Sequence, residues 1–109
     1  RSAVREVLER AYSKIAEREK AFREFVERLC ASGLTSEVYL VGSRARGDNA
    51  PSSDYDIVTV VDQGDLLDVA EKVALLKKEP VPVDVVVLRR GDLEDPLYRE
   101  MLMHKKRLC

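Results

Sequence analysis

The sequence predicts one small domain, spanning residues 1–109, in which helices and strands alternate in the order α-β-α-β-α-β-α. Two long amphipathic segments and three short apolar runs, at 38–41, 57–61 and 81–88, predict this order. Strands linked by helices favour a parallel sheet. The first link between strands spans only about a dozen residues, close to the minimum for a parallel crossover, so a mixed sheet is equally compatible.

The first element is a long helix over residues 4–31. Its apolar side chains recur at spacings of three, four and seven, which places on one stripe Val4, Leu8, Ala11, Ile15, Phe22, Phe25 and Leu29. Arg18 interrupts this stripe, and Gly33 is the predicted stop signal. We expect the stripe to face the core, although part of so long a helix can instead serve as a dimer or partner surface.

The middle of the chain supplies the first two strands. Glu37–Val41 is the first strand, 43–47 a short helix, 48–53 a polar loop and 54–61 the second strand.

The second half begins with a helix over 65–78, which Pro80 closes, and a third strand follows at 83–88. Asp95 and Pro96 are typical of an N-cap and a first helical position, so we expect a last helix over 96–108. Its basic end, residues 104–107, would complement the helix dipole.

Composition limits the classes of function. The chain is 45% apolar and 36% charged, as expected for a soluble globular protein, with no run of transmembrane length and no signal peptide. A net charge of −1 argues against a dedicated nucleic-acid binder, because such proteins usually carry a basic excess. Cys30 and Cys109 lack metal-ligand spacing, so we expect reduced thiols and a cytoplasmic location. One Asn, one Gln and many charged residues indicate a thermophile.

The segment from Gly42 to Asp56 carries the chemistry. A Gly42-Ser43 turn at a strand end can offer backbone N–H groups and a hydroxyl to phosphates. Asp54 and Asp56 share one face of the second strand because residues two apart point the same way. Two like charges so close are costly without a cation, and Mg²⁺ is the natural candidate.

Asp84 is the third candidate acid. It interrupts an apolar run that is typical of a buried strand, where an unpaired carboxylate would be expensive. If its strand lies beside the one carrying Asp54 and Asp56, the three carboxylates could hold one or two divalent ions that align an attacking oxygen with a phosphoryl group.

These residues together resemble the DNA polymerase β-like nucleotidyltransferase superfamily, and most closely its minimal nucleotidyltransferase (MNT) branch. The resemblance covers 37–88 and implies an α+β fold with a small mixed sheet of three to four strands. It also implies two Mg²⁺ ions and a nucleoside triphosphate donor, with ATP preferred. Asp54 and Asp56 would bridge metals and phosphates, and Asp84 would hold the metal that activates the acceptor hydroxyl. Gly42 and Ser43 would hold the β- and γ-phosphates.

The resemblance also suggests a partner. Many minimal members pair with a small helical HEPN-type protein as toxin and antitoxin, and some transfer AMP to it. The near-neutral charge fits a protein acceptor. One alternative is a non-catalytic antitoxin or binding module that occludes its partner. Transfer to a small molecule such as an antibiotic is disfavoured because the chain encodes no acceptor domain. The sequence leaves open whether the chain forms a homo-oligomer.

Other residues near the motif can have either a ligand-binding or a structural role. Arg44 and Arg46 can contact a triphosphate through their guanidinium groups, or can lie in a solvated loop or pair with nearby acids. Two residues apart on a helix they would not share a face, so Arg44 is the favoured contact. Tyr55 points away from the acids and is expected to pack, and Asp48 is expected to brace the loop.

Overall fold

The computed structural model describes residues 3–109, and its centre is a four-stranded mixed sheet flanked by helices. The long helix and the first two strands, with the helix between them, are α1 (Ala3–Ala31), β1 (Glu37–Val41), α2 (Gly42–Arg46) and β2 (Tyr55–Val61). The second half of the chain forms α3 (Leu66–Leu75), β3 (Val83–Arg89), 3₁₀ turns at Arg90–Glu94 and Pro96–Tyr98, α4 (Arg99–Leu102) and β4 (Lys106–Arg107). The α+β class with a mixed sheet is confirmed.

The sheet has the strand order β3-β2-β1-β4. β1 runs antiparallel to both β2 and β4, whereas β2 and β3 are parallel and are joined through α3. The lengths of the links agree with this arrangement. The link between β1 and β2 is close to the minimum for a parallel crossover and here returns the chain antiparallel, while the link between β2 and β3 holds a helix.

Each face of the sheet is covered by a separate apolar cluster. One face packs against α1 and α3 through side chains that include Phe25, Leu29, Ile57 and Val73. The other face packs beneath the C-terminal segment through side chains that include Val41, Val58, Leu88 and Leu102. Alternate residues of β2 therefore enter alternate clusters, as the period of two requires.

The predicted last helix is too long, because the helical residues end at Leu102. Asp95 does cap the turn that begins at Pro96, because its carboxylate accepts from the Leu97 N–H at 2.9 Å. Beyond the helical residues the chain extends, so that Lys106 and Arg107 pair with Leu40 and Tyr39 of β1. The backbone groups at that edge of β1 need partners, and β4 supplies them. The basic run is therefore not a helix end.

Other boundaries shift by one to three residues. β2 begins at Tyr55 instead of 54, and β3 continues to Arg89. α3 ends at Leu75 instead of 78, and Asp65 lies before it as the N-cap, accepting from the Leu67 N–H at 2.9 Å. The short helix α2 begins at Gly42 and ends before Gly47.

The expectation of reduced thiols is also wrong, because Cys30 and Cys109 form a disulfide. They are 79 positions apart in sequence, and only the return of the chain through β4 brings Cys109 beside the end of α1. The cysteine argument for a cytoplasmic location is thereby lost, and that location stays a prediction. Within residues 3–109, no helix is both long and apolar enough to cross a membrane.

Only the C-terminal part of α1 packs on the sheet. Its buried residues are Ala21, Phe22, Phe25 and Leu29. The turns before Lys14 extend away from the body, whereas Lys14, Glu17 and Arg18 line a cavity with Glu79 and Pro80. The molecule reaches 57 Å in its longest dimension. The stripe therefore faces the core in the second half of the helix, and in the first half the alternative of a dimer or partner surface stays open.

Candidate active site

The acids meet at one end of the sheet. Asp56 lies between Val41 of β1 and Asp84 of β3 in the strand register. Asp54 immediately precedes β2, two residues before Asp56. Because Asp56 and Asp84 alternate with residues of the α1-facing cluster, both belong to the face of the sheet that lies away from α1. The predicted neighbourhood of the strands carrying these acids is confirmed.

The three acids differ in exposure. Asp54 and Asp84 are exposed, whereas Asp56 is half-buried. The expectation that Asp84 lies in a buried strand is wrong, because β3 is an edge strand with β2 as its neighbour in the sheet. Burial therefore gives no reason for an acid at this position. Its register opposite Asp56 is the observation that gives Asp84 significance.

Electrostatics at Asp56 are unfavourable to its charged form. Burial raises the pKa of the Asp56 carboxyl above its ordinary value, and the neighbouring charges of Asp84 and Asp54 raise it further, while Arg46 lowers it. A bound cation would act in the opposite direction and favour the carboxylate. The site therefore accumulates negative charge that a cation could relieve.

Gly42 is required by the close approach of Asp56. Gly42 joins β1 to α2 with φ +72°, a conformation that favours glycine, and a Cβ at this position would collide with the Asp56 carboxylate oxygen Oδ2. Ser43 is half-buried in the same turn, and its carbonyl accepts from the N–H groups of Gly47 and Asp48 at 2.9 and 3.1 Å. The Gly-Ser turn thus lies directly against the central acid.

Arg44 braces the loop that carries Asp54. Its Nε and Nη2 donate to the Ser53 carbonyl at 3.1 and 2.8 Å, and Nη2 also donates to the Pro51 carbonyl at 3.1 Å. The guanidinium lies 3.8 Å from the centre of the Tyr55 ring, whose other contact is a stack on Phe22 at 3.9 Å. The predicted packing role of Tyr55 is confirmed. The contact of Arg44 with a triphosphate stays a prediction.

Sequence reasoning missed this Phe22–Tyr55–Arg44 stack. The residues come from α1, β2 and α2, and their separation in sequence gives no sign that they meet. The one available signal was the alternation of Tyr55 with the acids, which directs its ring towards the α1 side of the sheet. The stack links the buried C-terminal part of α1 to the loop that positions Asp54.

Arg46 is the arginine whose charge reaches Asp56. It is exposed, pairs with Asp48 at 3.2 Å, and lowers the pKa of the Asp56 carboxyl. The ion pair agrees with a bracing role for Asp48. The Arg44 guanidinium donates to loop carbonyls and the Arg46 guanidinium pairs with Asp48, and contact of either arginine with a triphosphate stays a prediction.

The three acids are ligands of the type that magnesium binds, but their side chains are not grouped around one ion position. All three side chains are carboxylates, the ligands that Mg²⁺ prefers. Within the described part of the chain, no three acidic, His or Cys side chains are grouped closely enough to hold a metal as they stand. Asp54 and Asp84 are exposed, and exposed side chains change rotamer rapidly. The residues therefore fit the ion after side-chain rearrangement.

A cavity of about 280 Å³ opens beside Asp84, between α3 and the free edge of β3. Its lining includes Ala70 and Ala74 of α3 together with Val85 and Lys77, whose Nζ donates to the Val83 carbonyl at 3.2 Å. Sequence reasoning did not identify this cavity, since it depends on how α3 crosses the edge strand.

Comparison with known proteins gives the family. A family model described as a nucleotidyltransferase domain matches residues 22–109. No curated protein matches the chain. Among solved structures, a candidate nucleotidyltransferase from Sulfolobus solfataricus is 30% identical with a TM-score of 0.63, over 89% of this chain and 84% of that one. The matched region contains the Gly-Ser turn and all three acids, and the chain belongs to the nucleotidyltransferase domain family.

Proposed function

We propose that the chain is a Mg²⁺-dependent enzyme that transfers AMP from ATP to a hydroxyl group of a partner protein, with release of pyrophosphate. The α-phosphorus forms a bond to the acceptor oxygen and loses its bond to the bridging oxygen of the pyrophosphate. The hydroxyl proton passes to a base or to solvent. The family supports nucleotidyl transfer in general, and the finer terms are our proposal.

One observation carries this proposal. The Asp56 carboxylate lies against the Gly42 backbone, at the start of α2, and is in register with Asp84 of the neighbouring strand. The turn proposed to bind phosphate thus lies directly against the central residue of the acidic cluster. A purely structural acid would be expected to have a cationic partner, whereas burial and two other acids raise the pKa of Asp56.

The residues divide the work between donor and acceptor. Gly42 and Ser43 would hold the terminal phosphates, with Arg46 adding positive charge. Asp54, Asp56 and Asp84 would hold the metal, which when bound would neutralise charge on the phosphates. Asp84 is exposed on the edge strand β3, on the face of the sheet away from α1, so the acceptor hydroxyl would approach from that face.

The acceptor proposal depends on charge and on the resemblance to the MNT branch. A net charge of −1 offers little attraction to a polynucleotide. We therefore propose a protein acceptor, and specifically a small helical HEPN-type partner for which this chain would be the antitoxin.

Calorimetric titration of ATP into the protein tests the donor site. We expect binding in Mg²⁺, loss of binding in EDTA, and loss in Asp56→Asn. Asp62→Asn is the matched control because Asp62 is also next to β2, but follows the opposite end of that strand and pairs with Arg90 at 2.8 Å, outside the acidic cluster. ATP binding by Asp56→Asn equal to that of the wild type would contradict the assignment.

Labelled ATP distinguishes the reaction types. Incubation of the protein with a co-expressed neighbouring gene product should transfer label from the α-phosphate and none from the γ-phosphate. Transfer of γ-label would indicate a kinase, and the proposed nucleotidyl transfer would then be wrong.

A non-catalytic binding role is the second candidate. It is favoured by the absence, within residues 3–109, of three side chains already grouped for a metal. A variant with Asp54, Asp56 and Asp84 all changed to Asn separates the candidates. Neutralisation of a captured partner that survives these changes supports occlusion, whereas loss of neutralisation with capture intact supports catalysis.

A further inference from the structure

The first part of α1 precedes the residues that the family model matches. The family match begins at Phe22, and the buried residues of the helix begin at Ala21. The 18 residues before Ala21, from position 3 to position 20, rise about 27 Å along the helix axis. This projecting segment, residues 3–20, therefore contributes little to the core of the domain.

The projecting segment carries an exposed apolar surface. Val7, Leu8 and Tyr12 are 61%, 51% and 69% exposed. Scattered apolar residues are normal on a surface, but these lie within two turns of one helix and on adjoining positions. A contiguous apolar patch with a polar surround is typical of an interaction site.

The spacing of the stripe is that of paired helices. Its positions alternate by four and three residues, at 4, 8, 11, 15, 18, 22, 25 and 29, and all of them are apolar except Arg18. This seven-residue repeat is the pattern with which one helix packs along another. The sheet covers the repeat from Phe22 onwards. The same repeat continues across the projecting segment, where a second helix would complete it.

We propose that the projecting segment docks on the same segment of a second copy of this chain, in an antiparallel arrangement about a two-fold axis. Such an interface is isologous, so each contact occurs twice. The proposal is independent of the proposed enzymatic function.

The sizes of the stripe residues favour the antiparallel orientation. With the two segments centred between positions 9 and 10, Leu8 faces the second copy's Ala11, and Ile15 faces the second copy's Val4. Large side chains thus oppose smaller ones, which fills space evenly. A parallel pair in register would place Ala11 against Ala11 and Arg18 against Arg18, leaving a gap and opposing like charges.

The flanking residues are also complementary in this orientation. Arg5 comes alongside the second copy's Tyr12, where its guanidinium can stack on the ring. Lys14 comes alongside the second copy's Val7, where its methylene chain can cover the apolar side chain and leave the ammonium in water. The side chains of Arg5 and Glu9, which form an ion pair, are both exposed, so the pair is weak and Arg5 can leave it to stack on the ring.

The geometry leaves both catalytic sites open. Ala21 of one copy and Ala21 of the other would be about 34 Å apart along the shared axis, from 23 residue rises. The acids lie on the face of the sheet away from α1. An overlap of about a dozen residues per helix is smaller than a standard interface, so we expect a weak dimer with a Kd on the order of 100 µM.

Sedimentation equilibrium of the full chain, at protein concentrations from about 5 µM to about 1 mM, tests the proposal. The wild type should pass from monomer to dimer, and Leu8→Glu should weaken association at least about tenfold. Ser13→Glu is the matched control, since it adds the same charge to the opposite side of the same helix and should leave association unchanged. A wild type that stays monomeric throughout, or forms higher oligomers, would overturn the proposal, as would equal loss in both variants.

Mixing experiments test the orientation. Equal amounts of the Leu8→Cys and Ala11→Cys proteins, oxidised together at high concentration, should form the mixed disulfide in preference to either homodimer. Preferential homodimers would indicate parallel helices and overturn the antiparallel arrangement. Circular dichroism of each variant confirms that α1 is retained, so that a negative result reports on docking.

Discussion

At Asp56 the ionised carboxylate opposes folding, because burial and the charges of Asp84 and Asp54 raise its pKa. A carboxyl whose pKa is higher in the folded than in the unfolded chain favours folding below the unfolded pKa of about 3.9 and loses that contribution as pH rises through the folded pKa. Asp56→Asn should therefore raise the free energy of unfolding at pH 7 in EDTA, by an amount that shrinks towards pH 4. Urea unfolding measures this.

Asp62 supplies a control of opposite sign. The side-chain hydrogen bond to Arg90 lowers the pKa of the Asp62 carboxyl, so its ionised form favours folding above the unfolded pKa. Asp62→Asn should lower stability slightly at pH 7, with less effect as pH falls. If both variants shift stability in the same direction, repulsion at the acidic cluster is not the cause.

Gly42 and Gly47 separate backbone strain from contact with the site. Both have positive φ, of +72° and +86°, but a Cβ at Gly47 would meet nothing within 4 Å whereas one at Gly42 would collide with Asp56. Each change to Ala should cost about 1–3 kcal/mol of stability. Only Gly42→Ala should abolish Mg²⁺-dependent ATP binding, as measured by calorimetry. Equal loss of binding in Gly47→Ala would show that the backbone of α2, and not the contact with Asp56, matters.

At the scale of elements, α1 combines a buried half and a projecting half in one helix. Phe25 is fully buried, so Phe25→Ala should lower the free energy of unfolding by about 3–5 kcal/mol. Phe25→Leu should lower it by about 1 kcal/mol and takes the place of Phe25→Ala if that variant does not fold. Leu8 is half exposed, so Leu8→Ala should change stability by less than about 0.5 kcal/mol in dilute protein. Thermal unfolding at low micromolar concentration compares them. A large cost at Leu8 would mean that the projecting segment packs on the body.

Sequence periodicity identified the elements whose partners are local. β1 was predicted with its observed bounds, because alternation and the Gly-Ser turn are properties of adjacent residues. The pairing of β2 with β3 was only a condition of the sequence argument, and the structure supplies it. β4 was missed because two residues have no period, and their strand conformation comes from pairing with β1. The Arg44 contacts were missed for the same reason, since they form between segments that only the tertiary fold brings together.

At the scale of the whole molecule, the Cys30–Cys109 disulfide joins the end of α1 to the strand that closes the sheet. It encloses a loop of about 79 residues, for which chain entropy gives a stabilisation of about 4.5 kcal/mol. The double variant Cys30→Ser/Cys109→Ser should therefore lose about 2–5 kcal/mol of unfolding free energy. Wild type treated with a reductant should match it, and the reductant should leave the variant unchanged. If wild type and variant unfold at the same denaturant concentration, and alkylation finds both thiols free, the protein as isolated does not contain the bond. β4 must then be held by its pairing with β1 and by the Leu108 N–H bond to the Val38 carbonyl, at 2.8 Å.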